Sequence, residues 1–200
     1  MAERGLVLIT GGSGYVAGFC ITKLISEGWH VRTTLRNLAR EDDVRRTLAK
    51  LCDTSGRLDF CAADLTSDAR WAEAAKGCDY VLHVASPFPS VNPRDDDELV
   101  RPARDGALRV LRAARDEGVK RVVMTVSFVT IAYGHGSRQT LFTEADWSDE
   151  TNHADTSAYE RSKTIAERAA RDWLAQEGSA LELVTIHPGA VLGRPRPSRL

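Results

Sequence analysis

No apolar run in this sequence approaches the roughly 20 residues that a membrane span requires, and the nearest candidate for a leader, Leu6-Val7-Leu8-Ile9, stops at a glycine cluster. Both absences lead us to expect a soluble chain with no membrane partner. Cysteine is sparse: Cys20, Cys52, Cys61 and Cys78 include no C-x-x-C pair, and a reducing cytoplasm fits such usage best. Excess charge is missing too. With 27 Lys+Arg against 28 Asp+Glu the formal charge is -1, so no overall field draws in nucleic acid or an anionic membrane, and any anion site must be local. The histidines offer no metal site, since His83 and His187 end apolar strands while His30, His135 and His153 lie scattered without partners at ligand spacing. The acidic run "RDDDE" at 94–98 precedes a helix, where negative charge meets the dipole favourably. Repeats and low-complexity tracts are absent.

What is present is one domain's worth of chain, 200 residues of which 42% are hydrophobic, enough for a sizeable core. Short β-branched runs near 5–10, 30–35, 57–61, 79–84, 120–126 and 181–187 alternate with helical patterns near 14–27, 41–51, 67–76, 95–117 and 157–177. Such alternation predicts an α/β fold, a Rossmann-type doubly wound parallel sheet in strand order 3-2-1-4-5-6, with its ligand crevice beside the first strand where the order reverses. Gly118 is the expected C-cap of the fourth helix. Two segments break the rhythm: Ser86 to Asp97 with three prolines, and the polar stretch Tyr133 to Ser157. Loops of that length inside a compact domain are read as lids or binding loops.

"LVLITGGSGYVAGF" places Gly11, Gly14 and Ala17-Gly18 between an apolar strand and a helix. One glycine permits the tight turn, another lets backbone N–H groups approach a pyrophosphate, and a small third residue lets helix and sheet sit close. The alternative is a tight turn without a ligand. At the end of the second strand, "HVRTTLRN" carries Arg36 where an acid would select NAD, and a guanidinium fork suits the 2′-phosphate of NADP. The alternative is a solvated arginine. Arg32 and Arg40 could assist. Asp64 in "CAADLT" could accept from the adenine amino group, the helix cap going to Thr66 or Ser67.

In "AYERSK" Tyr159 and Lys163 stand four apart, so in a helix they share a face. An adjacent ammonium should favour the phenolate and bring the phenol towards a working pKa. With this pair the chain resembles the extended short-chain dehydrogenase/reductases, NAD(P)-dependent epimerases and reductases, and most the dihydroflavonol reductase/cinnamoyl-CoA reductase branch. The match runs through "TGGSGYVAG", "VRTTLRN", "DYVLHVASPF", "RVVMTVSFV", "AYERSKTIAERAA" and "HPGAVLGRP", nearly the whole chain.

The resemblance implies an NADPH-dependent reductase of a small-molecule ketone or aldehyde, lipophilic or aromatic. In it Ser127 binds the carbonyl oxygen, Tyr159 delivers the proton, and Lys163 binds the nicotinamide ribose. It implies cofactor contacts at Gly11, Gly14, Tyr15, Val16, Arg36, Asp64, Leu65, Val84, Ala85, Ser86, Pro188, Gly189 and Val191. Val126 departs from the family, replacing the first of two serines, and Phe128 stands where dehydratases carry an acid. Members continue beyond "PGAVLG" with a smaller substrate domain, so residues 1–193 are expected to be the NADP-binding domain and 194–200 the start of a linker to a domain this chain lacks. The substrate pocket should then lack one wall. A sugar-nucleotide epimerase on NAD and a non-catalytic NADP-sensing module are the alternatives, and the two long helices suggest a two-fold dimer.

Overall fold

The computed structural model describes residues 4–87, 95–137, 140–177 and 180–193. Part of the proline-rich loop and all of the expected linker therefore lie outside the described residues. Six strands form one sheet in the order β3-β2-β1-β4-β5-β6, every neighbouring pair parallel. They are β1 (Leu6–Ile9), β2 (His30–Leu35), β3 (Leu58–Ala62), β4 (Tyr80–His83), β5 (Arg121–Thr125) and β6 (Glu182–Ile186). The helices between them are α1 (Tyr15–Ser26), α2 (Glu41–Ala49), α3 (Trp71–Ala75), α4 (Asp97–Asp116) and α5 (Ala158–Glu177).

Register explains which residues make the core. Val7, Ile9, Val31 and Leu35 face one side and pack with Ala17, Ile21 and Ile25 of α1 and Val44 and Leu48 of α2. Leu8, Val81, Val122 and Met124 face the other side, against Ala103, Ala107, Val110 and Leu111 of α4 and Ala166 and Ala170 of α5. These runs are apolar on both faces because helices cover both faces, as a parallel sheet demands. Over β5 and β6 the α1 side has no helix among the described residues, and Val184 and Ile186 are 40% and 49% exposed. α4 stops at Gly118, whose φ of 72° is left-handed and whose N–H returns to Arg115 O at 3.1 Å. Among the described residues no helix is long and apolar enough to cross a membrane.

One element differs from the sequence expectation. The helix expected over 67–76 begins only at Trp71. Asp64 Oδ1 accepts from Thr66 N and Oγ1, both at 2.8 Å, and Arg70 adopts φ 69°. These local turns hold the chain out of the helix until Trp71, so neither Thr66 nor Ser67 caps α3. The indole of Trp71 bonds back to the same turns, donating to Asp64 O at 3.1 Å and Ser67 O at 3.0 Å.

Candidate functional site

The carboxyl ends of β1, β4, β5 and β6 bring the singled-out residues to one rim of the sheet, at the switch in strand order. Gly11 has φ 74°, and a Cβ there would lie 3.0 Å from the Cβ of Ala85. The position therefore suits glycine twice over. Gly12, which the sequence reading passed over, is equally constrained, because a Cβ would overlap the Thr33 hydroxyl. Gly11 N donates to Thr34 Oγ1 at 2.9 Å and Gly12 N to Thr34 O at 2.9 Å, which pins the turn to β2. α1 then starts at Gly14 with no side-chain cap and no acidic residue in its first turn. A helix start of that kind, following a turn whose glycines carry no side chain of their own, suits a phosphate.

Thr10, buried at the end of β1, links this turn to β4. Its hydroxyl oxygen accepts from Val84 N at 3.0 Å and Ala85 N at 2.9 Å, and lies 2.9 Å from His83 Nδ1. With both acceptor directions used, the hydroxyl proton goes to Nδ1, so His83 carries its own proton on Nε2. Burial first, then the charge of Lys163, pushes His83 down to about 3. It is neutral at physiological pH and buried in the core, yet it sits between the glycine turn and the lysine. Thr10 was not singled out from sequence, and His83 only as the end of an apolar strand; the one signal for their pairing was a threonine at a strand end.

α5 opens on a capping box: Glu160 Oε2 accepts from Ser157 N at 2.8 Å, and Ser157 Oγ accepts from Tyr159 N at 3.2 Å. The box fixes Tyr159 in the first turn, and Lys163 Nζ lies 5.7 Å from the centre of its ring. The phenol shares a hydrogen bond with the Ser127 hydroxyl. Ser127 is buried where β5 ends; its oxygen accepts from Val129 N at 3.4 Å and lies 3.5 Å from Pro188 O. Val126 contributes to the hydrophobic core instead of supporting that hydroxyl. The three catalytic candidates thus meet.

Their electrostatics differ from the sequence expectation. Burial, aided by Glu160, raises the Tyr159 pKa, against the lowering effect of Ser127. The reason is that the sequence shows a neighbour at i+4 but not the desolvation that accompanies it. Burial also pushes Lys163 down to about 8 from 10.5. Below about pH 8 the folded chain bears the full cost of that buried charge; between the two values the unfolded chain binds more protons, so stability rises with pH. From about pH 8 to about 9.5, wild type should gain about 2 kcal/mol relative to Lys163→Met, measured by urea unfolding. Cys78, which burial pushes up to about 11, acts oppositely but cancels between the two proteins. A stability difference independent of pH would contradict this account of Lys163.

The other candidates fall around this centre. Arg36 is exposed just past the buried end of β2, and its charge reaches Asp64, whose carboxyl is held below the usual range chiefly by Thr66. Arg32 does not assist it: Arg32 Nη1 donates to Ala74 O at 2.9 Å and Lys76 O at 2.7 Å, closing the end of α3. Arg40 stays exposed in the turn that follows. Leu65 packs its side chain on Gly106 of α4. Tyr15 stacks edge-on against Phe19 at 5.0 Å and lies so near Gly193 that a Cβ there would overlap its hydroxyl. Val16, Ser86 and Gly189 belong to the same rim, with Val191 55% exposed. Trp147, in the long loop, packs under Arg168 at 4.6 Å and Arg171 at 5.8 Å on α5. Among the described residues no group of three His, Cys, Asp or Glu could hold a metal.

Known proteins resemble this chain in sequence and in fold. The model of the NAD dependent epimerase/dehydratase family matches residues 7–199. Dihydroflavonol 4-reductase of Zea mays is 34% identical over 197 residues, which cover 96% of this chain and 54% of that protein. Vestitone reductase from alfalfa superposes with a TM-score of 0.76 at 31% identity, over 92% of this chain and 56% of that one. Gre2 from Candida albicans, solved in complex with NADPH, gives a TM-score of 0.81 at 25% identity, over 98% of this chain and 60% of that one. The chain spans about half the length of the curated relatives it matches.

Proposed function

The chain belongs to the NAD dependent epimerase/dehydratase family, and on that premise we propose that it is the cofactor-binding portion of an NADPH-dependent reductase acting on a ketone or aldehyde. The observation that carries this reading is the meeting of Ser127, Tyr159 and Lys163 at the strand ends that also bear the glycine turn. Residues 1–193 are the NADP-binding domain in this reading. The residues fit the cofactor: the turn at Gly11 and Gly12 leaves room only for backbone, which would hold the pyrophosphate, and exposed Arg36, just past the end of β2, would meet a 2′-phosphate. Lys163 would bond the nicotinamide ribose, and Pro188 and Gly189 would hold the carboxamide. When bound, the reduced nicotinamide supplies the hydride that reaches the carbonyl carbon.

The protein's own groups do the rest. Ser127 donates to the carbonyl oxygen as negative charge gathers on it, and Tyr159 passes its phenolic proton to the same atom. A raised pKa suits that task, since the phenol must arrive protonated. Phe128, 40% exposed beside Tyr133 at 6.0 Å, supplies no carboxylate for removing water. The test is a titration with NADPH followed by nicotinamide oxidation in the presence of aromatic aldehydes and ketones. Ser127→Ala should cost about a hundredfold in kcat/KM while sparing NADPH binding. A chain that binds no NADPH, or a Ser127→Ala variant with undiminished carbonyl-dependent oxidation, would remove the proposal.

A further inference from the structure

Glu167 is 1% exposed on α5, one turn beyond Lys163 and two beyond Tyr159, hence on the same face. A carboxylate at that depth is strongly unfavourable unless its oxygens are bonded. Here both are. Oε1 accepts from Arg171 Nε at 3.1 Å, from Arg171 Nη2 at 2.9 Å and from His187 Nε2 at 3.1 Å, and Oε2 accepts from His187 Nε2 at 2.9 Å. A carboxylate has no proton to give, so His187 carries one on Nε2. Burial alone would raise the pKa of Glu167, but the bonds from Arg171 and His187 outweigh it and hold the carboxyl below its ordinary range. Arg171 Nη2 also donates to Thr185 Oγ1 at 2.7 Å, so the group joins α5 to the end of β6.

That end leads directly into the site. His187 precedes Pro188, whose carbonyl accepts from Phe128 N at 3.1 Å and stands 3.5 Å from the Ser127 hydroxyl. α5 therefore grips the segment after β6 through one carboxylate, and that segment touches the serine. We propose that Glu167 is a positioning residue: acting through His187, it holds His187 to Gly189 so that their backbone meets the nicotinamide end of the cofactor. The inference rests on the reading of this site as an NADP pocket. It also separates two roles that a buried carboxylate can have. One that only stabilises the fold would weaken every part of the site alike, whereas a positioning carboxylate weakens the nicotinamide end and spares the adenosine end, which depends on Arg36 and β2.

The experiment compares dissociation constants for NADPH and for adenosine 2′,5′-bisphosphate, which lacks the nicotinamide half, in wild type, Glu167→Gln, Glu167→Ala and His187→Phe. Glu167→Ala and His187→Phe should lose about tenfold in NADPH affinity while the bisphosphate stays within about twofold. Glu167→Gln should keep both affinities, because its amide oxygen still accepts from Arg171 and His187. Equal losses for both ligands, or none for either, overturn the positioning role. Should Glu167→Ala fail to fold, His187→Phe decides alone, since it leaves Glu167 paired with Arg171. Wild type that binds neither ligand takes down the cofactor reading and this inference with it; wild type that binds both, with unchanged ratios in the variants, takes down this inference only.

Discussion

Tyr159→Phe should lower the turnover of the proposed carbonyl reduction by about a thousandfold and leave the NADPH dissociation constant within about twofold of wild type. The expectation follows from what the substitution deletes. Phenylalanine keeps the ring over which Lys163 Nζ lies at 5.7 Å, so the packing of the first turn of α5 should be unchanged, but it removes the proton that, in the proposed function, Tyr159 passes to the substrate oxygen. Ser127 remains, held by Val129 N and near Pro188 O, and would still polarise the carbonyl. Loss of a positioned general acid with binding intact is the signature of an interaction made mainly in the transition state. The pH dependence adds a second readout. Because burial raises the Tyr159 pKa, the phenol stays protonated through neutral pH, and reduction by wild type should be insensitive to pH until the alkaline range, where the proton is lost. Steady-state kinetics across pH, together with nicotinamide fluorescence titration, checks both. A variant keeping more than about a tenth of wild-type turnover would assign the proton to another group.

How much of this was legible in the sequence depends on the range of the interaction. The six strands were, because each is a short run closed by a glycine or a polar turn, and their observed bounds lie within the expected ranges except that β3 ends at Ala62, one residue past the expected 61. So were the glycine turn and the Tyr159–Lys163 face, both set by spacing within one element. The start of α3 was not, since left-handed Arg70 and the Asp64 turn chemistry outweigh helical periodicity there. Arg32 and Arg36 look alike on paper, yet one lies within β2, where the carbonyls ending α3 capture it, and the other just past its end, exposed to solvent. Thr10 and His83 stand 73 positions apart and Glu167 and His187 stand 20 apart. No local pattern announces either pair. The electrostatics were least legible, because the pKa of Tyr159 is set first by burial.

Arg36→Asp should lower the ratio of NADPH to NADH affinity by about a hundredfold, mostly through weaker NADPH binding. The side chain leaves the sheet immediately after buried Leu35, and Asn37 fixes the next turn by accepting from Ala39 N at 2.9 Å, so the backbone under Arg36 is well defined. A guanidinium there can meet a 2′-phosphate with two parallel hydrogen bonds. A carboxylate at the same point repels the phosphate but accepts from a free ribose hydroxyl, which is why NADH should lose little or gain. The site is exposed, so the wild-type preference should shrink as salt rises, and the variant's should not. Arg32→Gln is the control: it releases the carbonyls of Ala74 and Lys76 and should lower thermal stability without moving the cofactor ratio. Competitive titration of both nucleotides at low and high salt measures every quantity needed. An unchanged ratio in Arg36→Asp, or an equal shift in Arg32→Gln, would mean that the charge at the end of β2 does not select the cofactor.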